Sequence, residues 1–199
     1  MAQRTQAERR ESTIAKLTDA TIGAIAELGY PRATVQEIVR RAGVSQGALF
    51  RHFPNRIALI VHSASGIGSR LLDEFDRRAA EPGLGPREIL LILRELVESD
   101  PNRVWRELEF NSRTDTELRA LLLPVIGRHY RAIGAAADRL PQLAQLTAAQ
   151  RRALAEVAIT VFHGEAQLQA LIPTPAAADM RVEMLLTYLA TLGVPLSQP

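Results

Sequence analysis

The chain has 199 residues, 47% of them hydrophobic and 23% charged, which suits a folded globular protein with one sizeable core or two small ones. With no cysteine, disulfides, thiolate metal sites and thiol-based redox sensing are excluded. The net charge of +2 conceals an asymmetry, because residues 1–60 carry nine Lys/Arg against five Asp/Glu and the rest carry fifteen against seventeen. A basic N-terminal part suits a polyanionic partner. No apolar run approaches the roughly 18 residues of a membrane span, and no apolar stretch follows Met1 that would read as a signal peptide. The expectation is a cytoplasmic protein with no membrane association.

In chain order, residues 6 to 28 read as a helix, with Ile14, Leu17, Thr21, Ile25 and Leu28 on one face at three- and four-residue spacing. Gly29 ends it, and Tyr30-Pro31 leads to the stretch 34–53, two short helices around a tight turn. Thr34 caps the first, with Glu37 completing a capping box; Ile38, Val35 and Val39 supply its apolar face. Gly43 stops that helix in the left-handed conformation, Val44 fills the corner, and Ser45 caps a second helix with Leu49 and Phe53 inward. This is the pattern of a helix-turn-helix, whose second helix enters the DNA major groove with its N-terminal residues toward the bases.

Asn55 reads as the cap of a long helix from 56 to about 80, which at 1.5 Å per residue reaches roughly 35 to 40 Å. A break at Glu81-Pro82-Gly83-Leu84-Gly85 precedes helices at 86–98, from 100, and from about 115 to 140. Pro124 should kink or split the last of these. Thr147 caps a helix from 148 to about 172, Pro173-Thr174-Pro175 breaks the chain, and a final helix covers about 177 to 192. There is no strand pattern, so the fold class is all-α, about nine helices: a three-helix head followed by a helical domain.

Within the motif, Ser45, Gln46, Gly47 and Ala48 form the exposed first turn of the recognition helix. Gln46 is the candidate base reader, since its amide both donates to and accepts from adenine. Gly47 and Ala48 let the helix approach the bases. Thr34, at a helix N-terminus with free backbone donors, suits a phosphate, and Arg51, His52 and Arg56 are candidate phosphate contacts that set register. Arg40 and Arg41 fit either further phosphate contacts or a solvated face. A specific site calls for two heads in successive major grooves, roughly 34 to 36 Å apart, and hence a homodimer on palindromic double-stranded DNA.

The first 60 residues resemble the DNA-binding domain of TetR-type transcriptional repressors. The resemblance lies in Ala24-Ile25-Ala26-Glu27-Leu28-Gly29-Tyr30, Thr34-Val35-Gln36-Glu37-Ile38, Ala42-Gly43-Val44-Ser45 and the run from Gly47 through Arg56. It departs at Phe50, where the family usually has a Tyr whose hydroxyl contacts phosphate; Phe50 is expected to keep the packing and lose that hydrogen bond, and it stands among the expected DNA-binding residues. Arg56 replaces the family's usual Lys, and Ile57 stands where an acidic residue often follows. The resemblance implies a DNA-binding domain at 1–54 and an effector-binding and dimerisation domain at 55–199. The dimer helices would be those at about 148–172 and 177–192, where His163-Gly164-Glu165-Ala166-Gln167-Leu168 is weakly similar and Gly164 would permit close backbone approach.

The family's usual small-molecule pocket suggests Phe75, Trp105, Phe110, His129, Tyr130 and Phe162 as lining residues, with Glu109 and Asn111 as polar handles. Leu-rich surroundings suit an apolar or amphipathic effector that releases DNA. The sequence equally permits a protein effector or none, and activation in place of repression. An enzyme is not indicated. The four histidines are scattered, no phosphate-binding glycine loop or nucleophile turn is present, and neither a metal nor a cofactor is expected.

Overall fold

The apolar periodicity of the first helix and of the motif is realised as buried stripes. In the computed structural model, which describes residues 5–172 and 175–196, the elements are α1 (Gln6–Leu28), α2 (Val35–Ala42), α3 (Gln46–His52), α4 (Arg56–Ala79) and α5 (Pro86–Glu98), then α6 (Asp100–Asn111), α7 (Thr116–Asp138), α8 (Ala148–Gln169) and α9 (Pro175–Thr191). Single 3-10 turns at Tyr30–Arg32 and Pro141–Leu143 complete them, and no strand occurs among the described residues. The protein is all-α. Two compact units result, one of residues 1–68 with 103–127 and one of 69–102 with 128–199.

In the first unit, α1 packs on α2 and α3. Leu17, Thr21, Ala24 and Ile25 are buried along α1, Ile38 on α2 and Leu49 on α3. Each fully buried aliphatic side chain contributes about 1.5–3 kcal/mol. Thr21 spends its hydroxyl on the Leu17 carbonyl at 2.7 Å, so its place in the stripe leaves no orphaned donor. Residues 59–67 of α4 add Leu59, Ile60, Ala64 and Ile67, and α6 and α7 add Val104, Trp105, Leu108, Leu118 and Leu122.

Pro124 does not split α7, which runs from Thr116 to Asp138. A proline costs one backbone bond, and the turns around it are held by burial of Leu118, Leu122 and Val125. The second unit is built on a core of Leu90 and Val97 from α5, Leu154, Ala158 and Phe162 from α8, and Val182, Leu185, Leu186 and Leu189 from α9, with Leu143, Leu146 and Val194 from the connections. α8 ends at Gln169, a few residues before the expected limit, and α9 begins at Pro175, where proline is suited to the first helical turn. The break expected at Pro173-Thr174 lies outside the described residues.

The second unit also buries charge. Glu165 of α8 is 1% exposed; Arg94 of α5 donates Nη2 to it at 2.6 Å, and Gln169 donates at 3.0 Å. Arg181 of α9 stands 3.8 Å from the other carboxylate oxygen. His129, on α7, is pushed down to about 4 by burial. Unfolding restores an ordinary histidine, so between about 6.5 and 4 the unfolded chain takes up the proton first and stability falls as pH falls. Urea titrations across that window should show this slope, and His129→Gln should flatten it.

Candidate nucleic-acid interface

The motif is built as its residue types dictate. Thr34 is the N-cap of α2 and its hydroxyl accepts from the Glu37 N–H at 3.3 Å. The reciprocal half of the capping box does not form. Glu37 instead accepts from Arg40 at 2.7 and 2.8 Å and from Arg41 at 2.5 Å, while the Thr34 N–H donates to the Arg32 carbonyl. Two guanidiniums outcompete one amide for the carboxylate, and they hold Glu37 down to about 2, Arg40 contributing most. Arg41 also reaches Glu27 of α1 at 2.8 Å. Arg40 and Arg41 therefore brace α2 and α1 with carboxylates of their own.

Gly43 turns the chain at φ 64°, a left-handed conformation open to glycine without a Cβ penalty. Val44 donates back to the Val39 carbonyl. Ser45 caps α3 by accepting from the Ala48 N–H at 3.1 Å. Leu49 is fully buried and Phe53 nearly so, and Phe53 meets the His62 ring at 5.3 Å.

The opposite side of α3 faces outward. Ser45, Gln46, Gly47 and Arg51 are exposed, and Ala48 and His52 are half-buried. Phe50, expected among the DNA-binding residues, is 46% exposed. Leu49 and Phe53, four apart, take the inward stripe, which leaves Phe50 on the same stripe as Gln46. The exposed first turn of α3 thus carries an amide, a glycine and, one turn on, an aromatic ring.

Arg56 also differs from an outward cation. Its Nε donates to the Ala33 carbonyl at 2.7 Å, its Nη2 donates to the Tyr30 carbonyl, and its guanidinium lies 4.5 Å from the Tyr30 ring centroid. Arg56 is a strut that fixes the Tyr30–Arg32 turn to the start of α4. Asn55 caps α4 through the Ala58 N–H at 2.8 Å, as expected, and also donates to Glu117 at 3.3 Å.

Sequence spacing gave no warning of the contacts on Tyr30. Its hydroxyl donates to Asp115 Oδ2 at 2.6 Å and its N–H donates to Glu107 Oε1 at 3.0 Å. These partners lie 85 and 77 residues away in sequence, on no periodic pattern that includes Tyr30. Burial first, and Asp115 second, push the Tyr30 hydroxyl up to about 12, so it remains a donor at neutral pH. Asp115 is held below the usual carboxylate range by the Leu118 N–H, at 2.9 Å, and by the Tyr30 hydroxyl.

The effector candidates are placed as follows. Trp105 is buried and donates to Glu109 at 2.8 Å, and burial raises the Glu109 carboxyl. Asn111 donates to the carbonyl and carboxylate of Glu107. Phe110 is 67% exposed with Arg113 over its ring, so it lines no interior. Phe75 is half-buried, and His129 and Tyr130 meet edge to face at 6.2 Å. Phe162 is fully buried within the core of the second unit, a packing position.

Residues 17–62, which span α1 to the start of α4, match the model for bacterial regulatory proteins of the tetR family. Over 194 residues the chain is 37% identical to an uncharacterised HTH-type transcriptional regulator of Mycobacterium tuberculosis, covering 96% of this chain and 99% of that one. The chain belongs to the TetR family of bacterial transcriptional regulators. Its fold is that of solved family members. A transcriptional regulator from Rhodococcus sp. superposes with a TM-score of 0.66 at 21% identity, covering 87% of this chain and 96% of that chain. FadR from Bacillus subtilis in complex with stearoyl-CoA superposes at 0.64 and 16% identity, covering 86% and 96%. The protein is accordingly a DNA-binding regulator and not an enzyme, and no described helix is long and apolar enough to cross a membrane.

The strut gives a direct expectation. Hydrogen bonds from a charged donor contribute about 1.5–3 kcal/mol, so Arg56→Met should lower unfolding free energy by about that amount in urea titration. Arg56→Lys should recover only part, since an ammonium lacks the planar fork that spans two carbonyls and a ring.

Proposed function

We propose that the protein is a dimeric repressor that binds a palindromic operator and is released by a small apolar or amphipathic effector. The observation that carries the operator reading is the outward face of α3: Gln46 and Gly47 in the first turn, Phe50 beneath Gln46, and Arg51 beside them. Gln46 reads a base edge, with Gly47 and Ala48 admitting the helix to the groove. Phe50 gives apolar contact to a thymine methyl or a sugar in place of a phenolic hydrogen bond. Thr34, Ser45, Arg51 and His52 set register on the phosphates. Arg56 contributes by holding the Tyr30–Arg32 turn, and so the entry to α2.

The dimer reading rests on apolar side chains that α8 and α9 leave exposed. Met180, Met184 and Tyr188 lie at four-residue spacing on α9, each more than half exposed, and Val157 and Leu168 lie on α8. A Cβ added at Gly164 would meet nothing within 4 Å, which leaves room for a second backbone. Apolar surface of this kind marks an interaction face, here a bundle of the two helices with their symmetry mates. Release by an effector requires that it prefer the conformation that does not fit the operator. The capture of stearoyl-CoA by FadR, a protein of the same fold, supports an amphipathic molecule in that role.

Footprinting on the DNA upstream of the protein's own coding region should give a palindromic protected site, and failure to bind any such fragment would remove the reading. Gln46→Ala should weaken binding by roughly 1–3 kcal/mol mainly at one base position, whereas Arg51→Ala should weaken it uniformly and reduce the salt slope by about one. Sedimentation at micromolar concentration should show a dimer, and Met184→Glu should shift it to monomer.

A further inference from the structure

At the junction of α6 and α7 a half-open cleft of about 410 Å³ is lined by Ser112, Arg113, Arg119, Leu123 and Ile126. That volume lies within the range of small-molecule sites. Arginine in this protein is commonly tied to a carboxylate, as at Arg40, Arg41, Arg77, Arg78, Arg94 and Arg139. Neither Arg113 nor Arg119 makes an ion pair with the described residues; Arg113 only overlies the Phe110 ring at 5.7 Å. The same cleft carries apolar surface that folding has not covered, since its Leu123 is 57% exposed.

The chemistry is two-sided. A bare anion would have no use for the Leu123 and Ile126 wall, and a neutral apolar molecule would leave two guanidiniums with nothing to pair. A carboxylate with a short hydrocarbon chain satisfies both, its head taken by the planar forks of arginine and its tail laid on the wall. We propose that this cleft binds a monomeric medium-chain fatty carboxylate and that occupancy is passed to the DNA-binding head through Tyr30; the second clause rests on the effector-released reading above.

The route is short. Asp115 lies two residues beyond Arg113 and four before Arg119. One of its carboxylate oxygens caps α7 through the Leu118 N–H, and the other accepts from the Tyr30 hydroxyl. Tyr30 in turn opens the 3-10 turn that leads into Thr34 and α2. A carboxylate that draws Arg113 and Arg119 together pulls on both flanks of the Asp115 cap, and the cap is bonded to the head.

The test is calorimetry of the full-length protein with sodium octanoate, 1-octanol and acetate, followed by operator binding with and without octanoate. Octanoate should bind at least tenfold more tightly than either analogue. The double variant R113Q/R119Q and, separately, L123D should each lose at least tenfold in octanoate affinity with an unchanged melting temperature. Equal binding of octanoate and octanol, or full affinity in both variants, would overturn the site. Octanoate should weaken operator binding at least tenfold in the wild type. Tyr30→Phe should keep octanoate affinity but cut that effect to less than threefold; undiminished release in Tyr30→Phe would overturn the route. Calorimetry needs no DNA, so if the protein bound no operator the regulatory reading would fail while the site was still decided.

Discussion

Tyr30 is the residue on which the placement of the DNA-binding motif depends. Four of its groups are engaged: the carbonyl and ring by Arg56, the N–H by Glu107, and the hydroxyl by Asp115. Arg56 opens α4, Glu107 belongs to α6, and Asp115 caps α7, so three helices meet at one residue of a 3-10 turn. Such a turn has little stability of its own. It acquires a fixed geometry because charged partners supply the strong class of hydrogen bond in a partly buried setting. The first unit is therefore more than the three-helix head. It also includes residues 103–127, and the hydrogen bonds on Tyr30 explain part of that continuity.

What was legible in the sequence follows from what is local. The caps at Thr34, Ser45 and Asn55, the left-handed Gly43 and the buried stripe of α1 are each decided within four residues, and each is present. Local rules failed where a residue had a better partner. Glu37 gave up the capping box for two arginines, and Arg56 turned from the phosphates to two carbonyls. Leu49 and Phe53 fill the inward stripe of α3, which leaves Phe50 46% exposed on its outward side. Contacts across about 80 residues, those of Tyr30 with Glu107 and Asp115, leave no periodic trace. The same holds for the cleft at the α6–α7 junction, whose residues read along the chain as ordinary helix surface.

The two faces proposed for function differ in how they are left open. On α3 the outward residues are small, polar or basic around a single aromatic ring, a composition that water tolerates until DNA displaces it. On α8 and α9 methionine and tyrosine are exposed, flexible side chains able to fit an irregular partner surface. Beneath that second face runs the apolar core that unites α5, α8 and α9. These two helices are therefore supported from behind.

Glu165 adds a constraint of a different kind. Apolar cores tolerate sliding, because one leucine contact resembles the next, and a pair of helices packed only by leucine can settle in more than one register. A buried carboxylate cannot move without its cations. Shifting α8 by one turn against α5 would carry Glu165 away from Arg94 and strand a charge in the core, at a cost of several kcal/mol. Arg87 with Glu183 ties α5 to α9 in the same way at the surface. The exposed face of α8 and α9 is thus indexed: its bumps and hollows have one permitted spacing.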